Sequence, residues 1–305
     1  MRGTIVMVHC MWGGPWIWDR FAPVLERRGW RCLRPALRYH DADPAAAPDP
    51  RLGGMSLLDY AADLETYVRG LKDPPVLLGH SMGGLLSLML AARGLGSAAV
   101  LLTPGSPAGI NALTPSVIRC FLGPLLRPAF WKTPMRLSPR AASYAMLGTL
   151  PPQERDATYA KLVHESGRAA CEQGFWWLDR RRATRIDPDG ICCPVLVVSA
   201  SDDRLTPAPV VRRTAGLLGS RAELREFPGH GHWVVAEPGW KQIADFVAGW
   251  LDAHAKPAAA GQRDSRLARS VPAAAPRKRR PGGGGAAPRK RRPKSGTAAR
   301  PKKRG

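Results

Sequence analysis

One stretch constrains this chain more than any other. The apolar run Val76-Leu77-Leu78 passes through Gly79-His80-Ser81-Met82-Gly83 into Gly83–Arg93, a segment rich in Leu and Met and apolar on nearly every side. An apolar run without alternation reads as a strand buried on both faces, and the segment after it reads as a buried helix. Joining the two in so few residues needs a sharp strand-to-helix turn with glycines close by. A serine at the apex of such a turn holds its hydroxyl out at the top of the sheet. The helix that follows offers free N–H groups and the positive end of its dipole to a nearby oxyanion.

The same alternation extends along the chain. Strands are expected at Ile5–Val8, Arg31–Leu33, Pro75–Gly79, Ala98–Leu102, Pro194–Ser199 and Ala222–Phe227. Helices are expected at Trp16–Arg28, Tyr60–Leu71, Gly83–Arg93, Pro209–Leu218 and Trp240–His254, with Ser56 and Asp59 as a capping box before the second. Strands and helices in alternation imply an α/β fold: an open, mostly parallel sheet covered by helices on both faces. Between about 107 and 190 the alternation stops. Helix-like pieces at Pro151–Glu165 and Ser166–Arg182 suggest an inserted helical cap. We therefore expect one domain over 1–255 that contains this insertion.

From Lys256 onward the composition turns to Lys, Arg, Pro, Ala and Gly. Residues 256–305 carry 17 Lys/Arg and one acid, so most of the net charge of +22 sits there. Such a segment cannot offset its ordering entropy by burial and is expected to be disordered. Its clusters Arg277-Lys278-Arg279-Arg280 and Arg289-Lys290-Arg291-Arg292 suit non-specific contact with nucleic acid or an anionic surface. No apolar run is long enough for a membrane span or a signal peptide, and the six cysteines form no metal-like pair. A cytoplasmic protein with reduced thiols is expected.

A serine hydroxyl is a weak nucleophile and needs a base, which in turn needs an orienting carboxylate. Just past two later strands stand Ser201-Asp202-Asp203-Arg204-Leu205-Thr206-Pro207 and Gly229-His230-Gly231-His232-Trp233. Spacing alone leaves Asp202 and Asp203 as rival acids, and His230 and His232 as rival bases. His40-Asp41-x-Asp43 matches no trusted metal pattern and reads as a solvated loop. No metal and no cofactor are expected.

The chain resembles the α/β-hydrolase superfamily over about residues 4–254. Val8-His9-Cys10-Met11-Trp12-Gly13-Gly14 resembles the family's His-Gly-x loop, except that Cys10 stands where Gly is usual. Asp203-Arg204-Leu205-Thr206-Pro207 resembles its acid loop, and Gly231-His232-Trp233 with Glu237-Pro238 resembles its histidine ending. Trp12 to Trp18 is similar to the Trp-rich loop of plant-type esterases and hydroxynitrile lyases. The resemblance implies Ser81, Asp203 and His232 as catalytic residues and the backbone N–H groups of Met11 and Met82 as the oxyanion hole. It implies a carboxylic-ester hydrolase for a small apolar substrate. A triad-bearing lyase, thioesterase or acyltransferase is the alternative, as is a binding protein on a hydrolase scaffold. Trp12, His80, Trp131, Trp176 and Trp233 are expected to line the substrate pocket. Cys10 is a candidate for narrowing the site or for a reactive thiol.

Overall fold

The computed structural model describes residues 2–255; the expectations for residues 256–305 lie outside them. The strands that read as apolar throughout are the ones buried on both faces. They are β1 (Gly3–Val8), β3 (Val76–His80), β4 (Ala98–Leu102) and β7 (Val195–Ala200), and every residue of the last three is buried. The two edges, β2 (Trp30–Leu33) and β8 (Ala222–Phe227), are partly exposed. The six form one parallel sheet in the order β2-β1-β3-β4-β7-β8. The chain leaves β1 to one side and returns as β3 on the other. That reversal places the loops after β1 and β3 side by side at the C-terminal edge of the sheet, where open α/β sheets bind ligands.

Helices α1 (Ala22–Arg27), α2 (Leu57–Arg69), α3 (Met82–Ala91), α8 (Ala208–Leu218) and α9 (Trp240–His254) connect or close these strands. All ten residues of α3 are buried, as its even apolarity predicted. The capping box on α2 is present in full. The Ser56 hydroxyl caps the first turn, and the Asp59 carboxylate accepts from the Ser56 N–H at 2.9 Å. The single helix expected over Trp16–Arg28 is two pieces, a 3-10 turn at Pro15–Trp18 and then α1. Pro23 explains the break: it lacks an N–H, and its ring clashes with the carbonyl four residues earlier, so a helix starts near it and does not run through it.

Between β4 and β7 lie α4 (Pro115–Leu125), α5 (Pro139–Ala142), α6 (Pro152–Ala160) and α7 (Gly167–Gly174). The segment is not wholly helical. Its two-residue strands β5 (Pro134–Met135) and β6 (Glu165–Ser166) pair antiparallel. Two buried carboxylates fasten it to the residues before and within α2. Glu165 accepts from the Tyr60 hydroxyl at 2.9 Å and pairs with His40 Nε2 at 3.0 Å. Glu172 accepts from the Ser56 hydroxyl and the Leu57 N–H, each at 2.8 Å, at the positive end of α2. His40 is thus buried and paired, not part of a solvated loop. Burial alone would push its pKa down, but the charge and hydrogen bond of Glu165 hold it above the ordinary histidine value. Among the described residues no helix is long and apolar enough to cross a membrane.

Candidate active site

Ser81 sits between β3 and α3 with φ 56° and ψ −118°, in the left-handed half of backbone space that non-glycine residues avoid. Such a conformation costs on the order of 1–3 kcal/mol and persists only where its surroundings fix it. Here they do. The Ser81 N–H donates to the Leu102 carbonyl at 2.9 Å, and the Ser81 carbonyl accepts from Gly105 N–H at 2.8 Å and Leu85 N–H at 3.1 Å. Both glycines of the motif are required by close approach. A Cβ on Gly79 would stand 2.0 Å from the Gly83 carbonyl oxygen, and one on Gly83 would stand 2.1 Å from that of Val8. The Met82 N–H is the first of α3 and has no partner within the helix.

In the loops after β7 and β8, Asp203 and His232 meet each other, and Asp202 and His230 find other partners. His232 Nδ1 lies 2.8 Å from Asp203 Oδ2, both side chains fully buried. Asp203 Oδ1 accepts from the Leu205 and Thr206 N–H groups, each at 2.8 Å, and Oδ2 accepts from the Thr206 hydroxyl at 2.7 Å. Burial would push the Asp203 carboxyl up, but the charge and hydrogen bond of His232, with the Thr206 donors, hold it below the ordinary carboxylate value. An ionised Asp203 takes the Nδ1 proton as a hydrogen bond, which leaves the lone pair on Nε2. That Nε2 is buried and, among the described residues, has no hydrogen-bond partner. Asp202 accepts from the Ser201 hydroxyl instead, and His230 pairs with Glu237 at 2.9 Å.

Two further histidines hold this arrangement from behind. His80 Nε2–H donates to the His232 carbonyl at 2.8 Å, and the two rings lie 5.0 Å apart. Burial, with His232 adjacent, pushes the His80 pKa down to about 3, so the ring is neutral. His9 is buried as well, and desolvation with His40 nearby takes it to about 3. Its Nδ1–H donates to the Cys10 carbonyl at 2.9 Å, and its Nε2 accepts from the Leu37 N–H at 3.0 Å. The Cys10 carbonyl also accepts from Gly13 N–H at 3.2 Å. The Cys10–Met11 peptide is therefore fixed, and with it the direction of the Met11 N–H. Cys10 does not need the conformational freedom of the glycine it replaces, because the left-handed residue of this loop is Trp12, at φ 61°. Its side chain is buried, burial pushes its thiol pKa up, and it faces Gly13, not the cavity.

Ser81 and Met11 open onto a narrow slot of about 50 Å³. Its apolar lining includes Val117, Ile118, Phe121, Phe130, Phe175 and Leu205, and its polar lining Ser106, Gln173 and Thr206. The five expected pocket residues stand elsewhere. Trp12 is buried behind Phe121, with ring centroids 5.8 Å apart. His80 and Trp233 pack on each other beneath the His232 loop. Trp131 is 46% exposed and lines an outer groove of about 630 Å³, which shares Phe130 and Phe175 with the slot. Trp176 stacks edge-on against Trp177. Thr206, which the sequence did not single out, makes three contacts to Asp203 and His232. Its signal was present in Asp203-x-x-Thr206-Pro207, a spacing at which an Asp side chain takes the next free backbone N–H groups.

The model of the Alpha/beta hydrolase family matches residues 5–246. Among solved structures, a methylesterase from Arabidopsis is similar at TM-score 0.61 and 14% identity, over 82% of this chain and 99% of that one. A pyrethroid hydrolase from Sphingobium faniae is similar at TM-score 0.60 and 19% identity, over 82% and 98%. A monoacylglycerol lipase from Paleococcus ferrophilus is similar at TM-score 0.61 and 22% identity, over 83% and 95%.

Proposed function

The chain belongs to the alpha/beta hydrolase family, and from that premise we propose that it is a serine hydrolase that cleaves carboxylic esters with a small apolar part. Ser81 Oγ attacks the acyl carbon while His232 Nε2 takes its proton. Met11 and Met82 N–H groups receive the oxyanion of the tetrahedral intermediate. His232 returns the proton to the departing alkoxide, which leaves as the alcohol and an acyl-Ser81 ester. Water then attacks that ester, His232 takes its proton, and collapse of the second intermediate frees the acid and restores the Ser81 hydroxyl. Asp203 holds the ring with Nδ1–H toward it and stabilises the imidazolium formed in each half.

The observation that carries this reading is a buried His232–Asp203 pair whose outer nitrogen has no hydrogen-bond partner among the described residues, in the same fold as a serine held in a strained turn. That serine is Ser81, at φ 56°. Among the described residues none that lines the slot is charged, which supports an apolar group there. The test is turnover of a panel of short-chain esters, with acid and alcohol both quantified, by wild type and Ser81→Ala. A fall of about 10³ or more in kcat is expected for the variant. Activity that persists within about tenfold overturns the assignment of Ser81.

A further inference from the structure

Three polar side chains line the slot besides Ser81, and two of them are unsatisfied. Ser106 is 1% exposed, lines the slot, and its Oγ has no hydrogen-bond partner among the described residues. Gln173, on α7, lines the same slot, and its Oε1 is likewise buried without a partner among them. Both adjoin Gly105: Ser106 follows it in the chain, and a Cβ on Gly105 would lie 2.8–2.9 Å from the Gln173 amide atoms. The same stretch touches the nucleophile, since the Gly105 N–H donates to the Ser81 carbonyl. Thr206, the remaining hydroxyl in the wall, is already engaged by Asp203, His232 and the Thr103 carbonyl. Two unpartnered buried polar groups in an apolar wall are costly unless something completes them.

Building on Ser81 as the nucleophile of an ester hydrolase, we propose that Ser106 and Gln173 recognise a hydroxyl group on the substrate, so that the preferred substrates are hydroxy esters. A hydroxyl matches both groups at once. It donates to Gln173 Oε1 and accepts from the Ser106 Oγ–H. A plain alkyl group in the same place leaves both unpaired. A site built to hydrogen-bond a substrate hydroxyl rejects the analogue without it far more strongly than an apolar pocket rejects an added one.

The test compares ethyl β-hydroxybutanoate with ethyl butanoate. For wild type, kcat/KM for the hydroxy ester is expected to exceed that for the plain ester by on the order of tenfold or more. Ser106→Ala and Gln173→Leu should each bring the ratio down to about threefold or less. Thermal unfolding of each variant checks that the fold is kept. The same pair of esters is titrated into Ser81→Ala, where tighter binding of the hydroxy ester should be lost on adding Gln173→Leu. A wild-type ratio of one or below overturns the proposal, as does a ratio that survives both substitutions. Failure of the hydrolase reading looks different. Neither ester is turned over, and the binding difference in Ser81→Ala then decides the hydroxyl site by itself.

Discussion

Replacing Asp203 by Asn keeps the shape of the side chain and inverts one of its hydrogen-bonding edges. Oδ1 accepts two backbone N–H groups at 2.8 Å, from Leu205 and Thr206, so the amide oxygen stays there. The NH₂ must then take the place of Oδ2, facing the Thr206 hydroxyl and His232 Nδ1. An NH₂ cannot accept from Nδ1–H. The ring instead presents its Nδ1 lone pair to the amide, and the proton moves to Nε2, where the base is needed. Restoring the working tautomer leaves two buried donors facing each other, at about 1–3 kcal/mol. The imidazolium formed in the reaction also loses a carboxylate at contact distance, about 4 kcal/mol at an effective dielectric near 20. Together these lower kcat by about 10⁴, or about 5 kcal/mol. The assay is steady-state ester hydrolysis by Asp203→Asn, with near-ultraviolet circular dichroism and a thermal melt to establish that the packing is retained. A folded variant with kcat within about tenfold of wild type would refute the role given to Asp203.

The buried neutral histidines make stability fall on mild acidification. His9 and His80 ionise near 6.5 when unfolded and only at about 3 when folded, so stability is full above 6.5 and is lost as pH falls through that window. His40, raised by Glu165, has the opposite sign and offsets part of the loss. At pH 5 each depressed ring accounts for about 2 kcal/mol, so His80→Gln should lose about 2 kcal/mol less than wild type between pH 7 and 5 in urea unfolding; parallel profiles would contradict this. Gly83→Ala should abolish soluble folded protein, because its Cβ meets the Val8 carbonyl oxygen at 2.1 Å. Gly216→Ala, in α8 with no atom within 4 Å of its Cβ, should be neutral or more stable by up to about 1 kcal/mol, as read by thermal melts. Deleting residues 256–305 removes 17 of the 46 Lys/Arg and should abolish salt-dependent retention on nucleic acid without changing ester turnover.

The sheet and its central turn were legible because burial on both faces leaves a plain mark in sequence. Val76–Leu78 and Met82–Ala91 are apolar whichever way they face, so no choice of side was needed. At Trp16–Arg28 the pattern identified the buried side chains, since Trp18, Phe21, Val24 and Leu25 are all buried, but not the element, which Pro23 interrupts. The slot was the least legible part. Four of its wall residues, Val117, Ile118, Phe121 and Leu125, come from α4, where Pro115, Gly123 and Pro124 make the segment read as broken although it is helical. The aromatic residues that stood out by type are packed elsewhere, Trp12 buried against Phe121 and Trp233 buried against His80 and Trp16. Which side of the inserted segment faces Ser81 depends on the long-range anchors at Glu165 and Glu172, and spacing along the chain carries no trace of those.

The central claim is that Ser81 is an activated nucleophile, and a fluorophosphonate that traps such serines tests it most directly. Intact mass and peptide mapping after exposure should find a single adduct on Ser81 in the wild type and none in Ser81→Ala. A folded wild type that stays unlabelled, or that carries its adduct on another residue, would contradict it.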